Sequence, residues 1–487
     1  MGLALSLSSW TKTAESLEAS KNLLYFRQLV GLKIDKRRLA SIEARSSAHY
    51  MSYLRGPARA EGAPRGLYLM SVAAVGAAGT YRQLLRLYEA RSSKIVSRES
   101  RYGGAPVTWG SWRQFSANTD DSAARKRVFD DFLGRSGILS PLIKGRFEAY
   151  RAKLAEFGTD PLSAYLELEG LSYERLDALV RRLGELAKGP FTEALARYSH
   201  EVVGRPAEYF DDFYFFRSRV FKRYSKAAPT REKPIEKVVR TMRRMGLDAS
   251  KVPVDDTDRK GKSASAFCSG IRIPSDVRIS YRRANPFEDF APVFHEFGHA
   301  IHFSSIDPGA SFFDRYGVAN GVAEVFSIFF EGLVHEKGFL TAELGIPEPA
   351  AEDIVDRFRF SSLYFAAFYA ANSTLKLGYW HDSPPFESLD GLYSDLTERY
   401  LGIRYPGAYW KLHHVMPDYF LYSPSYLVAA VRALELRNDL MGRFGERYWR
   451  ERGAGARLLE LMRPGQSVDL GFSKLDESAY VRSLSAA

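Results

Sequence analysis

Residues 295–299 read His-Glu-Phe-Gly-His, and no other stretch restricts the fold of this chain so tightly. On an α-helix two histidines four positions apart lie one turn apart on the same face, so both imidazoles can reach a single cation. Glu296 follows His295 directly and points to one side, which suits a general base acting on a water at the metal better than it suits a ligand. A surface helix carrying two hydrogen-bonded histidines is the plain alternative. What separates the two readings is a third ligand, because a catalytic zinc site takes three protein ligands and keeps a fourth position open.

The third ligand is not a later histidine of the same helix. Ser305 stands six residues after His299, and His302 falls where that longer pattern has glycine. The segment from Asn320 to Glu331 offers a glutamate instead. Asn320 is a fitting N-cap, Gly338 a fitting stop, and Val322, Val325, Phe326, Phe329 and Phe330 supply an apolar face at helical spacing. Glu324 lies within this apolar run, where a lone buried carboxylate is costly and coordination to a dication compensates it. As a first-turn residue it is also favoured by the helix dipole alone. Ser327 and Glu331 fall within about 60° of Glu324 on the helical wheel, placed to orient the ligands.

Twenty-four residues separate His299 from Glu324, and the pairing of HEFGHAIH with GVAEVFSIFFE resembles the peptidase family of thimet oligopeptidase and oligoendopeptidase F. The shorter gap of the aminopeptidase group would bring the glutamate to position 318, which is Val318. Upstream, the segment Asp258 to Gly270, DRKGKSASAFCSG, is similar to the family's basic, small-residue segment ending in Gly-Ala-Phe-Cys. That similarity implies an edge strand beside the active site, with Ala266, Phe267, Cys268 and Gly270 meeting substrate. Downstream, His414, Tyr419 and Tyr426 in HHVMPDYFLYSPSYL reproduce the family's histidine, tyrosine, tyrosine spacing and are implied as groups acting on the developing oxyanion. His413 competes with His414 for that place.

The resemblance covers about residues 255–435. It implies a mainly α, two-lobed helical zincin-like metallopeptidase, with a deep substrate channel and a small β element beside the active site. One zinc ion per chain would be held by His295, His299 and Glu324, with Glu296 as general base, and internal bonds of short peptides would be cut. A peptide lying along Ser263 to Gly270 by strand addition would be held through its main chain, which gives broad specificity. The chain departs from the family in having Ser265 where glycine is common and in being shorter than usual, so fewer N-terminal helices are expected to narrow the channel.

A chain of 487 residues, 45% hydrophobic and 14% aromatic, suits two or three lobes. Residues 1–225 read as an N-terminal helical lobe and 226–487 as the catalytic, zinc-binding lobe. Tyr81 to Arg91, Ala123 to Leu133, Ser172 to Leu186 and Phe191 to Val203 carry helical periodicity. The aromatic clusters Tyr209 to Phe216 and Tyr364 to Tyr369 read as core. The motif helix starts either at Asn285-Pro286, with Glu288 as capping partner, or near Asp289, since Pro292 permits the later start. Pro424 stands between Tyr419 and Tyr426, which predicts a loop there.

The net charge of +11 raises nucleic-acid binding, but the basic residues form short clusters, Lys36-Arg37-Arg38, Arg240 with Arg243-Arg244, and Arg282-Arg283, rather than one stripe. The expected partners are therefore short peptides, with no nucleic acid and no membrane; the oligomeric state stays open. The longest apolar stretch, Gly66 to Gly79, is well short of the roughly 20 residues that span a bilayer. MGLALSLSSWTKTAES lacks a basic start and a sustained apolar core, so a cytoplasmic protein is expected. The single cysteine, Cys268, is compatible with a reducing compartment and reads either as a redox-sensitive thiol beside the strand or as a small apolar filler. Two other classes remain: an inactive zinc protein that binds peptides, and a basic nucleic-acid-binding module with an incidental motif.

Overall fold

Helix makes up most of the chain among residues 7–59, 62–90, 100–102, 105–108, 111–216, 219–221, 223–224, 229–263, 265–283, 286–412 and 421–485, which the computed structural model describes. The strands are few and short. β1 (Ser100–Tyr102) and β2 (Ala105–Val107) form an antiparallel hairpin. β3 (Val254–Asp255), β4 (Phe267–Arg272) and β5 (Asp276–Ser280) form a sheet in the order β3-β5-β4, with β3 parallel and β4 antiparallel to the central strand. The mainly α fold with a small β element is thus observed. Among the described residues no helix is long and apolar enough to cross a membrane.

The chain divides into two compact units. One comprises Met1–Ala78, Ala227–Glu352 and Val428–Leu475, the other Gly79–Lys226, Asp353–Leu427 and Asp476–Ala487. This is not the single break near residue 225 that the sequence suggests, because the first helices belong with the motif-bearing segment. Helix α1 (Leu7–Leu29) is the physical reason. Its Phe26 joins Val30 and Ile271 in a buried cluster, with Leu23 and Phe267 packed against it, so α1 covers one face of the sheet. The last carbonyls of a helix have no intrahelical partner. Here the Ser263 N–H donates to the Leu29 carbonyl at 2.7 Å and Arg259 Nη1 to the Val30 carbonyl at 3.0 Å, which ties the end of α1 to the loop before β4.

That loop is fixed from within by Lys262, whose ammonium is buried. It lies 2.8 Å from the Asp255 carbonyl, 2.9 Å from Asp255 Oδ1, 3.1 Å from the Thr257 carbonyl and 3.0 Å from the Tyr281 carbonyl. A buried charge is tolerated only with partners of this kind. The other face of the sheet meets helix α2 (Phe290–Ser305), which carries the motif. Asp289 stands at its N-cap position, so the later of the two expected starts is the observed one, and Pro292 falls in the first turn where its missing N–H is harmless.

Helix α3 (Asn320–Leu333) packs along α2 in the same unit. Its cap is Ala319, and Asn320 is instead the first helical residue. The helix stops at Leu333, short of Gly338, where the N–H groups of Val334, His335 and Glu336 bond three residues back in tight turns before a new helix, Lys337–Leu344. Val322, Val325, Phe326, Phe329 and Phe330 are all buried as their spacing predicts, and each is worth about 1.5–3 kcal/mol when fully removed from water.

In the second unit the two expected helices beyond Ser172 are one, Tyr173–Val203, which runs through Pro190. The aromatic clusters do form core. Phe210, Phe213, Tyr214, Phe215, Tyr364 and Phe368 are buried, and Asp212 accepts hydrogen bonds from Tyr364, at 2.5 Å, and from Tyr409. Helix α4 (Tyr422–Phe444) begins in this unit.

Candidate metal centre

Two helices of the first unit bring three donors together. His295 and His299 project from α2, their ring centroids 4.9 Å apart, and Glu324 projects from α3. Glu324 Oε2 lies 3.3 Å from His295 Nε2 and 3.5 Å from His299 Nε2, and one ligand atom from each residue falls within 4.8 Å of the others. Tetrahedral zinc with bonds of about 2.0–2.1 Å sets its ligand atoms about 3.3–3.4 Å apart, which the two Glu324–histidine separations match, and two imidazoles with one carboxylate suit that ion chemically. Glu324 is almost wholly buried, which removes the plain reading of a solvated first-turn glutamate.

The close approach of the helices depends on Gly298, the fourth residue of the motif. A Cβ there would stand 2.6 Å from Ser327 Cα and 2.7 Å from the Phe326 carbonyl oxygen. Neither is the end of a flexible side chain, so α3 would have to move, and Glu324 with it. Gly298→Ala is therefore expected to cost about 1–3 kcal/mol of stability by overpacking and to weaken metal binding more than a remote substitution of equal cost. Melting temperature and zinc stoichiometry, measured on the same sample, check this; an alanine variant that keeps parental zinc affinity would show that the helices need not approach so closely.

The donors are held in turn by the two residues expected from the helical wheel. Ser327 Oγ lies 2.8 Å from Glu324 Oε2, and Glu331 Oε2 lies 2.8 Å from His295 Nδ1. With Nδ1–H given to Glu331, His295 turns its Nε2 toward Glu324, the orientation a metal ligand needs. His299 Nδ1 has no such partner among the described residues. Burial alone would depress His295, but hydrogen bonds to Glu324 and Glu331 outweigh it and hold the imidazole well above the ordinary histidine range. Burial acts upward on Glu324, yet His299 and His295 hold it well below the usual carboxylate range.

Glu296 is buried beside this cluster without joining it. Burial pushes its carboxyl up, and the two histidines together with the Cys268 amide only partly offset this. A carboxylate of raised pKa is a stronger base. His302, three residues beyond His299, is wholly buried against Phe303 and Phe326, and burial pushes it down to about 3, so it is a neutral core residue. His335, which sequence reasoning passed over, is pushed down to about 4 by burial, with Glu331 opposing.

The strand beside the motif is at the edge of its sheet, as the resemblance implies. The N–H groups of Ile279 and Tyr281 donate to the Pro253 and Asp255 carbonyls, at 3.0 and 3.1 Å, so alternate residues of β5 face β3 and the others face β4. Cys268 is paired with Ile279 and Gly270 with Val277. Cys268 and Gly270 therefore turn their backbone groups to the open edge. Phe267 faces α1, and Ala266 lies just before the strand. Burial and the nearby Glu296 push the Cys268 thiol well up, which favours the filler over the reactive thiol.

Of the three residues placed by the resemblance beyond position 400, His414 and Tyr419 lie outside the described residues, as does His413. Tyr426 is not in a loop. It stands in α4, half-buried against Tyr422, Phe365 and Tyr369 of the second unit, because Pro424 occupies the first turn, where no intrahelical N–H is required.

No family model matches the sequence, and no curated protein does. Solved structures do match in fold. A protein named as an oligoendopeptidase F from Bacillus anthracis str. Ames is 14% identical over 97% of this chain and 89% of its own, with a TM-score of 0.64. The M32 carboxypeptidase of Deinococcus radiodurans R1 is 15% identical over 98% and 96%, at 0.58. Metallocarboxypeptidase 1 of Trypanosoma cruzi is 17% identical over 98% of both chains, at 0.55. The fold of this chain is thus similar to that of helical metallopeptidases along nearly its whole length.

Proposed function

We propose that the chain is a zinc-dependent oligopeptidase that hydrolyses internal bonds of short peptides. One observation carries the reading: donor atoms of His295, His299 and Glu324 lie within 4.8 Å of one another, with the carboxylate of Glu296 buried beside them and outside the set. Bound zinc would supply a Lewis acid to the scissile carbonyl and the attacking water. Glu296 takes the proton of that water as its oxygen bonds to the carbonyl carbon, then delivers it to the departing amine nitrogen as the carbon–nitrogen bond breaks. The edge of β4 offers main-chain partners to an extended substrate, and the resemblance nominates His414, Tyr419 and Tyr426 for the oxyanion.

Four of the clustered arginines are engaged by neighbouring carboxylates, which weighs against nucleic acid as the substrate. Arg240 is engaged by Glu232 and Arg244 by Glu343, both at 2.7 Å, Arg282 by Asp258 at 2.8 Å, and Arg283 by Asp256. Charges compensated locally make no phosphate-binding stripe.

The near-complete mutual coverage with the two carboxypeptidases favours a second reading, in which residues leave one at a time from a C-terminus. Mass spectrometry of products from a doubly blocked peptide of about ten residues separates the two, since strand addition requires only an extended segment. Internal fragments that vanish with chelator are expected. A blocked peptide left intact while its free-carboxylate form loses single residues would establish the carboxypeptidase reading instead.

A further inference from the structure

Of the basic clusters in the sequence, Lys36-Arg37-Arg38 is the one in which no member is compensated among the described residues. These residues form the first turn of the helix Lys36–Arg55, whose cap is Asp35. No acid shares that turn, and bases there oppose the helix dipole, so their charges do not serve the helix they begin. They stand beside the tip that joins α1 to this helix. The Leu32 N–H donates to the Arg27 carbonyl at 2.9 Å and the Gly31 N–H to the Gln28 carbonyl at 3.1 Å, which folds the chain back over the end of α1. Gly31 takes a left-handed φ of 78°, and a Cβ there would stand 2.8 Å from the Lys262 backbone nitrogen and 2.9 Å from the Lys260 carbonyl oxygen. The tip is thus seated on the loop before β4, and Ile34 fastens its other side by packing on Leu24, Leu39 and Ile42.

Fixed as it is, the tip leaves apolar surface in water: Leu29 is 45% exposed and Leu32 40%. Single exposed leucines are commonplace. These two are accompanied by Arg27, Lys33, Lys36, Arg37, Arg38 and Lys260, all exposed and none in an ion pair among the described residues. The neighbouring acids are engaged, Asp35 by the N–H groups of Arg37 and Arg38 and Glu43 by the Tyr25 hydroxyl. Nucleic acid would meet the bases and leave the leucines in water, whereas an anionic bilayer takes up both, its phosphates facing the bases and its headgroup–acyl boundary the leucines. We propose that this tip is a site of reversible attachment to anionic lipid surfaces, with Leu29 and Leu32 entering the headgroup region and the six bases meeting lipid phosphates. Such attachment needs no spanning segment, and the lack of one is what the sequence expectation of no membrane partner rested on. It is independent of the peptidase reading.

Sedimentation with vesicles of phosphatidylglycerol and phosphatidylcholine in equal parts tests this, beside pure phosphatidylcholine vesicles and a short DNA duplex. The parent is expected to sediment with the anionic vesicles at low salt, to ignore the neutral ones, and to be released as salt is raised. The triple variant Lys36→Glu, Arg37→Glu, Arg38→Glu puts acids where the helix dipole favours them, so its melting temperature should not fall. At about fivefold for each basic residue it should bind the anionic vesicles at least about 100-fold more weakly. Leu29→Ala with Leu32→Ala keeps every charge and should bind several-fold more weakly, since less apolar surface is buried. A parent left in solution by anionic vesicles at low salt overturns the proposal, as does a triple variant that binds like the parent. A leucine variant that binds as tightly as the parent overturns the insertion, and binding of the duplex without binding of the vesicles assigns the tip to nucleic acid instead.

Discussion

Glu296→Gln is expected to bind zinc as the parent does while turning peptides over about 10²–10⁴-fold more slowly, the usual worth of a positioned general base. The substitution is nearly isosteric, so the buried site has no cavity to collapse into. Glu296 lies outside the convergent donor set, so coordination should be untouched. Its carboxyl is raised by burial, which favours uptake of a proton at the moment of attack, and an amide cannot take that proton. Turnover and zinc stoichiometry measured on one preparation make the comparison. A glutamine variant with full activity would remove Glu296 from the chemistry, and one that had lost its zinc would move it into the ligand set.

Glu324→Ala should have the opposite profile: activity falls because the metal leaves. Two histidines remain, and the loss in affinity should exceed the about 10–100-fold that removal of an outer partner costs. Glu331→Gln, which takes away only the support of His295 Nδ1, is expected within that smaller range. Competition with a chromophoric chelator ranks the three proteins. If Glu324→Ala keeps stoichiometric zinc at micromolar concentration, another residue is the third ligand. Acid should act on the same site. His295 holds its proton above the ordinary histidine range, between Glu324 and Glu331, and must release it before Nε2 can bind a cation. Zinc affinity should thus fall as pH drops, and uptake at neutral pH should release a proton into a weakly buffered indicator solution; uptake with no proton released would mean that His295 is already neutral.

The convergence of His295, His299 and Glu324 was legible in the sequence because it is written in local periodicity. A spacing of four on one helix and a carboxylate in an otherwise apolar run on another are both statements about single elements, and both reappear in α2 and α3. The hydrogen bonds of Ser327 to Glu324 and of Glu331 to His295 follow from the same wheel. What escaped the sequence depends on elements far apart in the chain. The partnership of α1 with β4 brings Asn22 to Gly270, 248 positions away, and nothing near either residue signals it. The same partnership is why the first residues belong to the motif-bearing unit rather than to a separate N-terminal lobe. Gly298 was visible inside the motif, but its reason is the backbone of Phe326 and Ser327 on the facing helix. Pro424 predicts a loop at Tyr426, yet in the first turn of a helix a proline breaks nothing, and Tyr426 is helical.

The central claim is that catalysis depends on one metal ion at His295, His299 and Glu324. Its most direct test is to strip the protein with chelator, return zinc in measured steps, and follow hydrolysis of an internally quenched peptide at each step. The predicted result is that hydrolysis is absent from the stripped protein, returns in proportion to added zinc and saturates at about one equivalent per chain, while Glu324→Ala recovers nothing over the same range. Hydrolysis that survives stripping, or a Glu324→Ala protein that recovers along the parental line, would contradict it.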